Sequence, residues 1–237
     1  MSLGMLLDQL VNPARYRPFP ELWESQAPPG ERLDEYVRRD LANEPHVGET
    51  PVSIIAEACD FADRAVRSID AASPQVTRDR EEFARIRNDV HCIREMTYSY
   101  AEKVRAAILV LRHRTTHDIK ELERAETHLK ASLDHFRELE RLTRTTYAFA
   151  NTMQTSQRRI PVPGGLDGKP ANYHWTQLLP TYEAEMAAFS ESLAKTQSGN
   201  EHFRDETAIH SLPKVKLKLL STGAGVRGGD RLARLHR

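Results

Sequence analysis

His113 and His117 stand one helical turn apart, with Asp118 and Glu121 close by. Two imidazoles at i, i+4 can share a transition metal. The segment is not His-Glu-x-x-His and fixes no third ligand, so solvated histidines at a turn are the better reading, and neither a metal nor another cofactor is expected. His128 and His135, seven residues apart, read as a helix surface or packing edge. Gly164 to Lys169 has the look of a phosphate loop, but Pro163 stands where the first glycine is required and Pro170 where the hydroxyl residue belongs. Nucleotide binding is rejected there. Glu183 and Glu185 follow Tyr182, and Tyr173, His174 and Trp175 precede them. Paired carboxylates beside aromatic rings are what a glycosidase needs. Side chains at i, i+2 on a helix point about 200° apart, so these two cannot flank one bond, and both read as a solvated helix face. Tyr173, His174 and Trp175 remain the ligand-facing candidates, although Tyr173 and Trp175 also fit as anchors closing a loop onto a bundle. Cys59 and Cys92 read as small buried thiols, and their spacing does not say whether they pair. No catalytic constellation can be assembled, which leaves enzyme activity in this chain open and disfavoured.

The elements that must carry these residues are helices. Thr50-Pro51 opens one: Thr is a good N-cap, and Pro suits the first helical position, where its missing N–H has no partner to lose. That helix should stop near Ala71, before Ser73-Pro74. From Gln75 to Ile160 there is neither Gly nor Pro. Phe83, Ile86, Val90, Ile93, Thr97, Tyr100, Val104, Ala107 and Leu111 step by 3 and 4 alternately, a heptad seam that calls for a partner helix. Ile119, Leu122, Leu129, Leu133, Phe136, Leu139 and Leu142 supply a second, looser apolar face. One unbroken helix over both would exceed roughly 110 Å. A break at Arg112 to His117, with Asp118 as a cap and Glu121 three residues on, makes an αα-hairpin instead.

The fold expected is therefore all-α: an antiparallel helical bundle built on a long αα-hairpin, with a loop-rich N-terminus and one short C-terminal strand. Residues 1–50 form the loop-rich segment, where only Arg32 to Asn43 can hold a helix of any length. Residues 51–197 form the bundle, ending in a helix from Trp175 to Gln197 in which Pro180 either makes a kink or marks the true start. Residues 198–237 hold a linker, a strand at Val215 to Leu219 and a Gly/Arg-rich tail, which has the look of a truncated β-domain. The Arg-rich stretch from Arg137 to Arg144 reads as salt-bridged helix surface.

Of 237 residues, 39% are hydrophobic and 29% charged, ordinary for a folded domain. Lys plus Arg equals Asp plus Glu at 34 each, so there is no electrostatic pull toward nucleic acid or anionic lipid. The longest strongly apolar run, Ala106 to Leu111, is far short of the roughly 20 residues that cross a bilayer. Met1 to Leu10 lacks a basic region and does not read as a signal peptide.

Three segments carry a resemblance: Glu44-Pro45-His46-Val47-Gly48-Glu49-Thr50-Pro51; Arg158-Arg159-Ile160-Pro161 with Asp167-Gly168-Lys169; and His174-Trp175-Thr176-Gln177-Leu178-Leu179-Pro180-Thr181-Tyr182-Glu183. Together, over about residues 15 to 220, they resemble a helical region of large, secreted, glycoside-hydrolase-like bacterial proteins of carbohydrate degradation. The resemblance implies a non-catalytic accessory or scaffold domain, a fragment of a multidomain protein whose parent is periplasmic or extracellular. It implies other domains of that parent as partners and carries over no catalytic residue. The alternative reading is a stand-alone helical-bundle interaction module that homodimerises through the seam. Direct carbohydrate binding has no support in the residues themselves.

Overall fold

The computed structural model describes residues 6–12, 30–147, 174–199 and 202–203. Among these residues six α-helices follow one another: α1 (Leu7–Val11), α2 (Leu33–Ala42), α3 (Pro51–Ala72), α4 (Arg80–Thr116), α5 (Ile119–Thr143) and α6 (Trp175–Gln197). A 3-10 turn, Ser73–Gln75, follows α3. The architecture is helix on helix, all-α as expected, and the described residues contain no strand. The strand expected at Val215 to Leu219 lies outside them.

Local chemistry explains the boundaries. Thr50 caps α3 by accepting the Ser53 N–H at 3.1 Å, while the Ser53 hydroxyl accepts the Thr50 N–H at 2.9 Å, with Pro51 first in the helix. The long hairpin turns at His117 and Asp118. His117 adopts the left-handed conformation (φ 57°) that ends α4, and the Asp118 carboxylate accepts the Lys120 N–H at 3.0 Å to start α5. α6 begins at Trp175 and carries Pro180 in its interior, so that proline does not mark the start.

α4, 37 residues long, is the spine. α3 and α5 run antiparallel to it on different sides, and α6 runs antiparallel along α5. The short helices α1 and α2 cover the C-terminal half of α4, burying Leu7, Val11 and Val37 with Ala107 and Leu111. A second core cluster gathers Cys92, Met96, Phe136, Leu139, Trp175 and Tyr182 at the other end of the bundle.

The heptad seam is only half as expected. The line that α4 buries in the bundle is Cys92, Met96, Ser99, Lys103, Ala106 and Val110, stepping by 4 and 3. Of the expected seam, Ala107 and Leu111 are buried, but Ile86 and Ile93 are about half exposed. Reading apolar residues alone passed over the true contact line because Ser99 and Lys103 sit in its middle.

Candidate functional site

Between the two apolar clusters lies a polar layer that spans the bundle. Ser132 on α5 donates its hydroxyl to the Ser99 carbonyl of α4 at 2.7 Å, and the two hydroxyls lie 3.2 Å apart. One turn along α4, the Lys103 ammonium meets the Glu185 carboxylate of α6 at 2.8 Å, with side chains only 5% and 3% exposed. The Tyr182 ring faces the same ammonium at 4.1 Å. The other oxygen of Glu185 accepts the Leu7 backbone N–H, tying α1 to α6. Leu129, Leu133 and Phe136 close the surround too tightly for water. Burial pushes the Lys103 ammonium toward deprotonation, and the Glu185 charge and hydrogen bond oppose that.

Around this layer, carboxylates bridge helices to cationic and imidazole groups. Glu95 on α4 accepts from His135 of α5 at 2.7 Å and from Arg94 at 2.7 Å, and Arg94 reaches on to Asp63 of α3 at 2.8 Å. Tyr98 donates to the same Asp63 at 2.7 Å. His128 and Glu102 are 2.6 Å apart, and His91 and Asp70 3.1 Å. Near α2, Glu31 is clamped by His46 and the Val47 N–H, each at 2.7 Å. Gly30 makes this clamp feasible: a Cβ there would lie 2.7 Å from the Glu49 carbonyl oxygen.

These partners fix the sense of the pKa shifts. Burial alone would raise the Glu95 carboxyl, but hydrogen bonds from His135 and Arg94 outweigh it and hold the group below its ordinary 4.5. In Glu140 the Arg144 hydrogen bonds lead and burial opposes, with the same net lowering. Asp63, bonded by Tyr98 and Arg94, is lowered as well. A carboxyl lowered in the folded state contributes stability that is complete above its unfolded value and lost as pH falls through the folded one. Thermal midpoints should therefore fall as the pH drops below about 4.5, and Glu95→Gln should flatten that fall; a midpoint that climbs with acid would contradict the assignment.

The residues singled out by type and spacing take the following places. His113 and His117 lie with ring centroids 6.2 Å apart at the end of α4. His113 Nδ1 contacts the Asp118 carbonyl at 3.0 Å, and His117 serves as the C-cap. No group of three or more His, Cys, Asp or Glu is arranged for a metal among the described residues. Glu183 and Glu185 point apart as their spacing requires, but only Glu183 lies on the solvated face, bonded to Arg137 at 3.0 Å. Glu185 is interior, contrary to the surface expected for it, because Lys103 and the Leu7 N–H hold its carboxylate inside. His174 caps α6, accepting the Thr176 N–H at Nδ1 and facing the Thr143 and Tyr147 carbonyls with Nε2, so both ring nitrogens are engaged. Trp175 is 2% exposed and packs edge-on against Tyr147 and His174, the anchor rather than the open-platform arrangement. Tyr173 and the Gly164 to Lys169 segment lie outside the described residues. Cys59 and Cys92 are free buried thiols, and burial, with the Asp89 charge, pushes Cys92 up to about 12. Arg137, Arg141 and Arg144 are salt-bridged as expected, to Glu183, Glu138 and Glu140.

Sequence reasoning missed Lys103 and Glu185 as a pair. The available signal was positional: Lys103 falls on the line of Cys92, Met96, Ser99, Ala106 and Val110, and a lysine inside such a line implies a buried carboxylate opposite.

No protein-family model matches this chain, and no curated protein matches it. Among solved structures, a GH138 enzyme targeting pectin rhamnogalacturonan II is 40% identical, with a TM-score of 0.75 over 84% of this chain and 23% of that one. This chain is similar to a helical part of a glycoside hydrolase. It spans about a quarter of the length of the enzyme it matches. Among the described residues, no helix is long and apolar enough to cross a membrane.

Proposed function

We propose that this chain is a non-catalytic helical scaffold domain, one piece of a multidomain carbohydrate-active protein that works in the periplasm or outside the cell. Its partners are other domains of the same polypeptide. The observation that carries this reading is the state of its carboxylates. A glycosidase needs a carboxylic acid held protonated near neutral pH beside a second carboxylate across an open cleft. Here Glu31, Asp63, Asp70, Glu95, Glu138 and Glu140 are all displaced the other way, and each is bonded to Arg, His or Tyr. The buried Glu185 carboxylate is paired with the Lys103 ammonium. Asp63, Asp70 and Glu95 cross-link helices in this way, and a carboxylate so bonded is a poor proton donor to a leaving group.

Incubating the purified chain with rhamnogalacturonan II oligosaccharides and resolving products by anion-exchange chromatography tests this. The expected result is no product above the buffer blank. Steady release of a sugar that tracks protein concentration through purification would overturn the reading.

A further inference from the structure

The half of the α4 seam that the described residues leave open joins an apolar strip on α3. On α4, Ile86, Val90, Ile93 and Thr97 each directly precede a residue that reaches α3 or the α3–α4 boundary: Arg87, His91, Arg94 and Tyr98. On α3, Ile54, Ala58 and Phe61 each directly precede a residue on the inward side: Ile55, Cys59 and Ala62. In an antiparallel pair, the same one-residue step on both helices turns both strips to the same side of the molecule. Ile54, Phe61, Ile86 and Ile93 are 48%, 54%, 46% and 50% exposed there, with Phe83 and Val90 half-buried beside them.

We infer that this α3–α4 face is the surface on which the chain docks against another domain of its own parent polypeptide, through an apolar helix of that domain. The inference rests on the scaffold reading above. Three observations commit it to that occupant. The strip keeps heptad spacing, which receives a helix's side chains. Farther along the same face of α4, Ala107 and Leu111 are already covered by the short helices α1 and α2, so an added helix continues an existing layer. The exposed apolar surface is on the order of 400 Å², about half of what one partner buries in a stable dimer. That is too little for free association and enough for a tethered neighbour, whose effective concentration is set by the chain. The matched GH138 enzyme carries its similar region within a chain about four times as long.

The test is thiol labelling of Ile93→Cys in this chain and of a cysteine at the superposed position in the intact GH138 enzyme, with carbene footprinting of the unsubstituted proteins as a check independent of folding defects. The new cysteine should react freely in this chain, where Cys59 and Cys92 are buried. It should react on the order of 100-fold more slowly in the intact enzyme. Equal reactivity in the two proteins would overturn the inference. So would protection already present in this chain as a monomer, since its own residues would then cover the face. A dimer in sedimentation that Phe61→Glu/Ile93→Glu converts to monomer would overturn it in favour of a second copy. None of these readings depends on sugar turnover, so the inference and the scaffold reading fail separately.

Discussion

Glu185→Ala should destabilise the bundle by about 3–5 kcal/mol, the cost of leaving one partner of a buried ion pair uncompensated. The removed carboxylate serves Lys103 and the Leu7 N–H together, in a site closed to water. Its loss strands an ammonium and a backbone donor that the intact site pairs without water. For a chain of this size the thermal midpoint should drop on the order of 10 °C. Lys103→Met should cost a similar amount, because it leaves the carboxylate as the lone charge. Combining Lys103→Met with Glu185→Leu should recover part of the loss, since two apolar side chains of like volume leave no buried charge, while the Leu7 N–H stays without its acceptor. Denaturant unfolding of the three variants checks this. Single variants within about 1 kcal/mol of the parent would mean that water reaches the pair.

Trp175→Ala should cost about 3–5 kcal/mol, the range for removing a fully buried large aromatic. Trp175 fills the junction of α5 and α6 beside Tyr147, and its cluster includes Phe136, Leu139 and Tyr182. Trp175→Phe keeps the ring and should cost less than half as much. Chemical denaturation monitored by far-UV circular dichroism gives both numbers. If Trp175→Ala were within 1 kcal/mol of the parent, the indole would not be the anchor that its burial indicates.

The contrast between these two sites shows what the residues disclose on their own. Caps and breaks act over three or four residues, so Thr50-Pro51, the turn at His117-Asp118 and the span from Trp175 to Gln197 were legible. Facing is a tertiary property. Ile86 and Ile93 have the same spacing as Ala107 and Leu111, yet only the latter are covered, because α1 and α2 lie over one half of α4. Nothing in the local pattern of Leu7 to Val11 announces α1; burial of Leu7 and Val11 and the Glu185 carboxylate hold those five residues in place. The pairing of His135 with Glu95 and of His128 with Glu102 depends on the register of the hairpin. That is why those histidines could be placed on a packing edge without their partners being named. The i, i+2 spacing of Glu183 and Glu185 correctly separated them, but the solvated face expected for both holds only for Glu183, because the partner that draws Glu185 inside, Lys103, comes from another helix.

The described helices form a framework whose interior polar groups bond one another, with Trp175 inside and both nitrogens of His174 engaged. Calorimetric titration of the purified chain with rhamnogalacturonan II oligosaccharides, followed in parallel by tryptophan emission, tests that most directly. The account predicts no saturable heat and no change in emission up to millimolar sugar. Saturable binding accompanied by an emission change, and abolished in Trp175→Phe, would contradict it.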